Sequence, residues 1–171
     1  MCALVSDVSH RPPGDAAIHA WAARTVHWRT CAAEEVASPL LAELSAFTAG
    51  GRPLLASPCA VAQFELLLGQ FGGVGERARW AALKAGRLRI VDPADAAAAD
   101  ALGASAAHVR GVAARMARLP GLGAPQRAVF CLGELARATT LTANGASVRH
   151  AAQAGIQLVT FTHRPVWLTG L

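Results

Sequence analysis

No two of the four cysteines form a C-x-x-C pair: Cys2, Cys31, Cys59 and Cys131 are far apart, which argues against a zinc site and indicates no disulfide framework. Four buried or partly buried thiols in a reducing compartment are expected instead. None of His10, His19, His27, His108, His150 and His163 falls in a metal-ligand spacing with a cysteine. No basic flank leads into a long apolar run, so no signal peptide is read, and no stretch has the apolar length of a membrane span. A cytoplasmic protein is expected, with no membrane partner. The glycines Gly69, Gly72, Gly73 and Gly75 follow no strand and lead to no G-K-[ST], which excludes a P-loop; a G-x-S-x-G nucleophile elbow is also missing.

Charge is scarce, at 16% of residues, while apolar residues make up 53%, the balance of a folded chain with a sizeable core. The length of 171 residues suits one domain, 1–171. Net charge is +5, and 15 of the 16 basic residues are arginine. Arginine forks match phosphate, so an RNA partner is admitted, although an Ala/Arg-rich, Lys-poor composition also reflects coding bias. Arg77, Arg79, Lys84, Arg87 and Arg89 form a loose basic group that reads either as a solvated face or as a phosphate contact.

Residues 123–161 organise the chain. Pro125 opens a helix that carries Val129, Leu132, Leu135 and Ala136. Thr139 to Thr142 form a β-favouring run closed by Asn144-Gly145; a second helix ends at Gly155, and residues 156–161 are a last strand. Strand, helix and strand in succession imply a parallel βαβ unit. Upstream, residues 3–6 read as a first strand presenting Asp7, residues 53–56 as a second and residues 87–91 as a third. Asp15, Ser38-Pro39, Ser57-Pro58, Asp92-Pro93 and Ser105 open helices between them. Breaks are expected at residues 12–14 and 119–124, and residues 162–171 as a tail packed through Trp167 and Leu168. The alternation predicts an α/β class, a three-layer α/β/α sandwich around a parallel sheet of about five strands.

With that element order, PLLASPCAVAQFELLLG (residues 53–69) and GAPQRAVFCLGELARATTLTANGASVRHAAQAG (residues 123–155) resemble the PIN domain, a metal-dependent nuclease fold of many toxin–antitoxin ribonucleases. The resemblance implies a site at the carboxyl ends of the strands, where three or four acids hold Mg²⁺ or Mn²⁺. Carried over by position, the catalytic acid matches Asp7, while the other three places fall on Gln63, Gln126 and Asn144. Amides bring no charge to a hard cation, so no metal ligand set is assigned and no cofactor is expected, with Mg²⁺ or Mn²⁺ only if active. Glu65, Asp92 and Glu134 are the acids that could stand in. Asp7 beside His10 reads equally as an acid–base pair or as a cap of the turn before Pro12.

The resemblance therefore implies a degenerate PIN-like domain with lost or weakened nuclease activity, binding RNA or a partner through a pocket of Asp7, Gln63, Gln126, Thr142 and Asn144. Arg149, His150, His163 and Arg164 would flank that pocket. Two alternatives stand beside it: an active ribonuclease using displaced acids and paired with an antitoxin-like protein, and a structural or regulatory homodimer.

Overall fold

The computed structural model describes every residue except Pro13 and Pro120, which fall inside the breaks expected at 12–14 and 119–124 and lie outside the described residues. About 60% of the chain is helical. The described residues form two compact units: Met1–Leu54, Gln63–Leu88 and Arg164–Leu171 make the first, and Leu55–Ala62 with Arg89–His163 make the second.

In the first unit, α1 (Cys2–Val5), α2 (Asp7–His10), α3 (Ala16–Ala22), α4 (Val26–Ala37) and α5 (Leu40–Thr48) follow in succession, and α7 (Val74–Gly86) completes it. Asp15 caps α3 as expected, its Oδ1 accepting from the backbone N–H of Ala17 and Ile18. The helix ends at Ala22, and Thr25 restarts the chain as α4 by accepting from Trp28 N–H at 3.1 Å. The core takes Val5, Trp21, Leu40 and Leu44 at under 2% exposure, with Phe64 edge-on to Trp80 at 4.8 Å between ring centroids.

The helix α6 (Pro58–Phe71) begins in the second unit and ends in the first. The second unit continues with α8 (Ala96–Ala101), α9 (Ala106–Ala117), α10 (Ala124–Leu135) and α11 (Gly145–Gln153). Its core is an apolar cluster that includes Val112, Met116, Leu119, Phe130, Leu135, Ala151 and Ile156. Gly155 ends α11 in the left-handed region at φ +73°, and Ile156 N–H reaches back to the Ala151 carbonyl.

Four strands of three residues occur: β1 (Leu54–Ala56), β2 (Leu88–Ile90), β3 (Thr140–Thr142) and β4 (Thr160–Thr162). They pair as β1 with β2 and, in parallel register Thr140–Thr160, β3 with β4. The βαβ unit β3–α11–β4 therefore forms, but the expected three-layer sandwich on a sheet of about five strands does not. The described residues hold two separate two-stranded parallel sheets among eleven helices.

The physical reason lies in short apolar runs that carry no period of their own. Residues 3–6 satisfy strand and helix alike, and the chain folds them into α1 with Ser6 as its C-cap. Residues 156–159 stay outside β4, where Ile156 joins the apolar core rather than a ladder. With alanine abundant, helix is the default wherever patterning does not decide.

Candidate functional site

Ser6 and Asp7 sit at the turn from α1 into α2. Ser6 Oγ accepts from Val8 N–H and donates to the Trp167 carbonyl at 2.6 Å, tying the start of α2 to the tail. Asp7 is 2% exposed. Its Oδ1 accepts from Arg79 Nη2 at 2.5 Å with Arg11 Nε at 3.4 Å, and its Oδ2 accepts from Thr169 Oγ1 at 3.1 Å. Arg79 also donates through Nε to the Val5 carbonyl at 2.7 Å, which fixes the guanidinium against the helix turn.

Behind Asp7 lies Glu76, fully buried. Its Oε1 accepts from the backbone N–H of Asp7 and of Thr169, both at 3.0 Å. Its Oε2 accepts from Gly73 N–H at 3.0 Å and from Gly170 N–H at 3.3 Å. Four backbone donors from three chain segments thus converge on one carboxylate, which satisfies the polar groups that burial would otherwise penalise. The Gly73 bond is the helix-capping half of this arrangement: Glu76 is the N3 residue of α7 and reaches back to the N-cap amide. A Cβ at Gly73 would lie 1.7 Å from the Leu171 carbonyl oxygen, so only glycine lets the tail approach. Thr169 Oγ1 stands 3.1 Å from Asp7 and 3.2 Å from Glu76, one hydroxyl proton facing two carboxylates. Such an arrangement clamps chain segments together, and both Asp7 oxygens are engaged within it.

The other expected site residues lie elsewhere. Gln63 is exposed on α6 in the first unit, and no hydrogen bond joins it to Asp7. Gln126, Thr142 and Asn144 belong to the second unit. Thr142 Oγ1 accepts from Asn144 N–H at 3.0 Å, and Asn144 Oδ1 accepts from Ser147 N–H at 3.1 Å, making Asn144 the N-cap of α11. Gln126 is half-buried in the first turn of α10, its Oε1 2.7 Å from where a Cβ on Gly123 would stand.

The stand-in acids are also occupied. Glu65 accepts from Lys84 Nζ at 2.8 Å and Trp80 Nε1 at 3.1 Å, and Lys84 foremost holds its carboxyl below the usual glutamate range. Asp92 caps a turn through Ala94 N–H, and Glu134 pairs with Arg115. His10 Nδ1 lies 2.9 Å from the Ser6 carbonyl rather than on the Asp7 carboxylate. Among the described residues no group of three or more His, Cys, Asp or Glu side chains is placed to hold a metal ion. All four cysteines are free thiols; burial pushes those of Cys2, Cys31 and Cys131 up.

The arginines divide into two sets. Arg77, Arg79 and Arg87 are bound to backbone carbonyls, and Lys84 to Glu65, so the basic group read around residue 80 is mostly spent on the protein itself. Arg24, Arg29, Arg52, Arg89, Arg110, Arg118, Arg137 and Arg149 are exposed, and their guanidinium groups have no hydrogen-bond or ion-pair partner among the described residues. Arg137 holds φ at +50° just past the end of α10, the left-handed position that glycine usually fills.

A family model described as a protein of unknown function, DUF1308, matches residues 1–170. The chain belongs to the DUF1308 family. No solved structure matches it. Within this DUF1308 chain the residues that sequence reasoning passed over are Glu76, Arg79 and Thr169. The signal for Glu76 was its place three residues after Gly73 at the start of α7, whereas nothing local marks Thr169 as its partner.

Proposed function

We propose that this chain is an RNA-binding module that acts without efficient metal-dependent cleavage. The observation that carries the reading is the set of exposed arginines with no internal partner, five of which (Arg89, Arg110, Arg118, Arg137 and Arg149) belong to the second unit. An arginine held by a carboxylate or carbonyl has its donors committed; a free one can put its fork on a phosphate. In the same unit the acids Asp92, Asp95 and Glu134 are engaged as caps or as an ion pair, and with Asp100 they are outnumbered by the arginines, so the unit carries a net positive charge. The engagement of both Asp7 oxygens, together with amides at Gln63, Gln126 and Asn144, supports binding over hydrolysis.

The test is fluorescence anisotropy with a labelled single-stranded RNA between about 50 and 200 mM salt. Contacts from all five arginines would give a log–log slope of about −3.5. Arg110→Ala, Arg118→Ala and Arg149→Ala combined should flatten that slope by about 2. Salt-independent binding, or none at the lowest salt, would sink the proposal. Cleavage of the same RNA with millimolar Mn²⁺, abolished in Asp7→Asn, would instead favour the ribonuclease alternative.

A second reading, self-association, rests on Leu66, Leu67, Phe71 and Val74, which are 45–84% exposed at the end of α6 and the start of α7. Analytical ultracentrifugation of the wild type beside Phe71→Glu decides it, since a charge there would dissolve a self-mating apolar contact.

A further inference from the structure

The first unit contains a half-open cavity of about 210 Å³, bordered by α2, by Arg11, Pro12 and Gly14, and by α3 and α4. Its walls are apolar: Val8 from α2, Ile18 and Ala22 from α3, and Ala32, Ala33 and Val36 from α4. The cavity exists because small side chains stand where larger ones would fill the seam between α3 and α4. On α4 the lining residues Arg29, Ala32, Ala33 and Val36 recur at i, i+3, i+4 and i+7, one face of the helix.

Four ionisable side chains also line this space, and they are not equivalent. Arg11 is committed to Asp7 and Asp15, and Glu35 to Arg164 and to the Leu40 backbone N–H. Arg29 and His19 have no partner among the described residues. The uncommitted polarity is therefore cationic, while the rest of the lining is hydrocarbon. An apolar pocket with a few convergent polar groups is the ordinary form of a small-molecule site, and this one is smaller than the range that suits drug-sized ligands.

We propose that this cavity binds a small monocarboxylate with a short alkyl chain, its carboxylate on Arg29 and its chain against Val8, Ile18 and the three alanines. A carboxylate matches the guanidinium fork in plane and charge. A phosphate ester would carry more charge and bulk into hydrocarbon walls, and a free alkyl chain without an acid would leave Arg29 unused. The site is separate from the proposed RNA contacts, whose test variants all lie in the second unit.

The experiment is calorimetry on the whole chain with butanoate, pentanoate, hexanoate and octanoate, beside hexylammonium and hexanol. Affinity should tighten about fourfold per added methylene until the cavity is full, then level off. Hexanoate should outbind hexylammonium by at least tenfold. Arg29→Ala, at an exposed position that leaves the core intact, should remove that preference while hexanol binding persists. Ala32→Leu, which fills the space, should weaken hexanoate and hexanol alike. No heat with millimolar hexanoate, equal binding of the acid and the amine, or an affinity indifferent to chain length would each overturn the proposal. So would hexanoate binding that survives Arg29→Ala unchanged.

Discussion

The two units are held together by different physics. In the first, Ser6, Asp7, Glu76 and Thr169 are all buried and hydrogen-bonded to one another or to backbone, joining segments as distant in sequence as Ser6 and Trp167. In the second, the apolar cluster of Met116, Leu119, Phe130 and Ile156 fills the interior, and its principal ion pair, Arg115–Glu134, lies at the margin with Arg115 part-exposed. Directional bonds fix which segments meet and tolerate no missing partner. Apolar burial is graded and tolerates exchange of like for like. The first unit should accordingly fail through single polar atoms, the second through volume.

The sharpest way to break that contrast is Glu76→Ala, which strands four backbone N–H donors in the interior. At about 1 to 3 kcal/mol for each unsatisfied buried group, the loss should reach at least about 4 kcal/mol, most of a domain's marginal stability. Trp21, Trp28, Trp80 and Trp167 all lie in the first unit, so their fluorescence during urea unfolding reports that unit while circular dichroism follows both. A midpoint moved by less than about 1 kcal/mol would mean that water replaces the carboxylate and the network is not what closes the unit. Next in size is Met116→Ala in the second unit, where the lost contacts and cavity should cost about 3 kcal/mol. Its effect should show in circular dichroism ahead of fluorescence. Coincident shifts of both signals would reveal one cooperative transition and end the comparison.

Asp7→Asn sharpens the contrast further. The amide keeps an oxygen for Thr169 but loses the charge opposite Arg79, whose side chain is 28% exposed and so partly hydrated. A cost of about 2 kcal/mol is expected, below that of a fully buried pair. A loss equal to that of Glu76→Ala would make Asp7, not Glu76, the centre of the network. Arg137→Gly should act in the opposite direction. Relief of the left-handed backbone is worth about 1 kcal/mol in the folded state, offset in part by glycine's greater freedom when unfolded. A melting temperature that does not rise would mean that the left-handed backbone at Arg137 holds no net strain.

Local chemistry was legible in the sequence, and convergence was not. Asp15 and Ser105 announce helix starts because a short side-chain oxygen before an apolar-periodic run satisfies a free amide, and both do so here. Thr140–Thr142 and Asn144 are readable for the same reason. The five-stranded sheet does not form because a three-residue strand and one turn of helix bury the same apolar run, and only tertiary contact decides between them. The expected role of Asp7 came from its place after a supposed first strand, whereas the chain puts it after one helical turn against Arg79. The tail was expected to pack through Trp167 and Leu168. Leu168 is half-buried and the Trp167 ring, 43% exposed, lies edge-on to His27, while the deepest burial in the tail falls on Val166 and Thr169. Nothing within eight residues of Thr169 carries that information, because the partners that bury it are Asp7 and Glu76.

The smallest expected effect concerns Asp15, which contrasts with the buried acids by lying at the surface. The Ile18 N–H first, then the Ala17 N–H and Arg11, hold its carboxyl below the usual aspartate range. A folded-state value below the unfolded one means that the charged cap adds stability above the unfolded value, and that this stability disappears as pH falls through the folded one. Asp15→Asn keeps an acceptor for the same amides without the charge. Melting temperatures of the wild type and Asp15→Asn should therefore differ most at neutral pH and converge once the pH drops below the usual aspartate range. If the gap is unchanged in acid, the charge adds nothing to the cap, and the hydrogen bonds from the Ala17 and Ile18 amides are what the side chain contributes to α3.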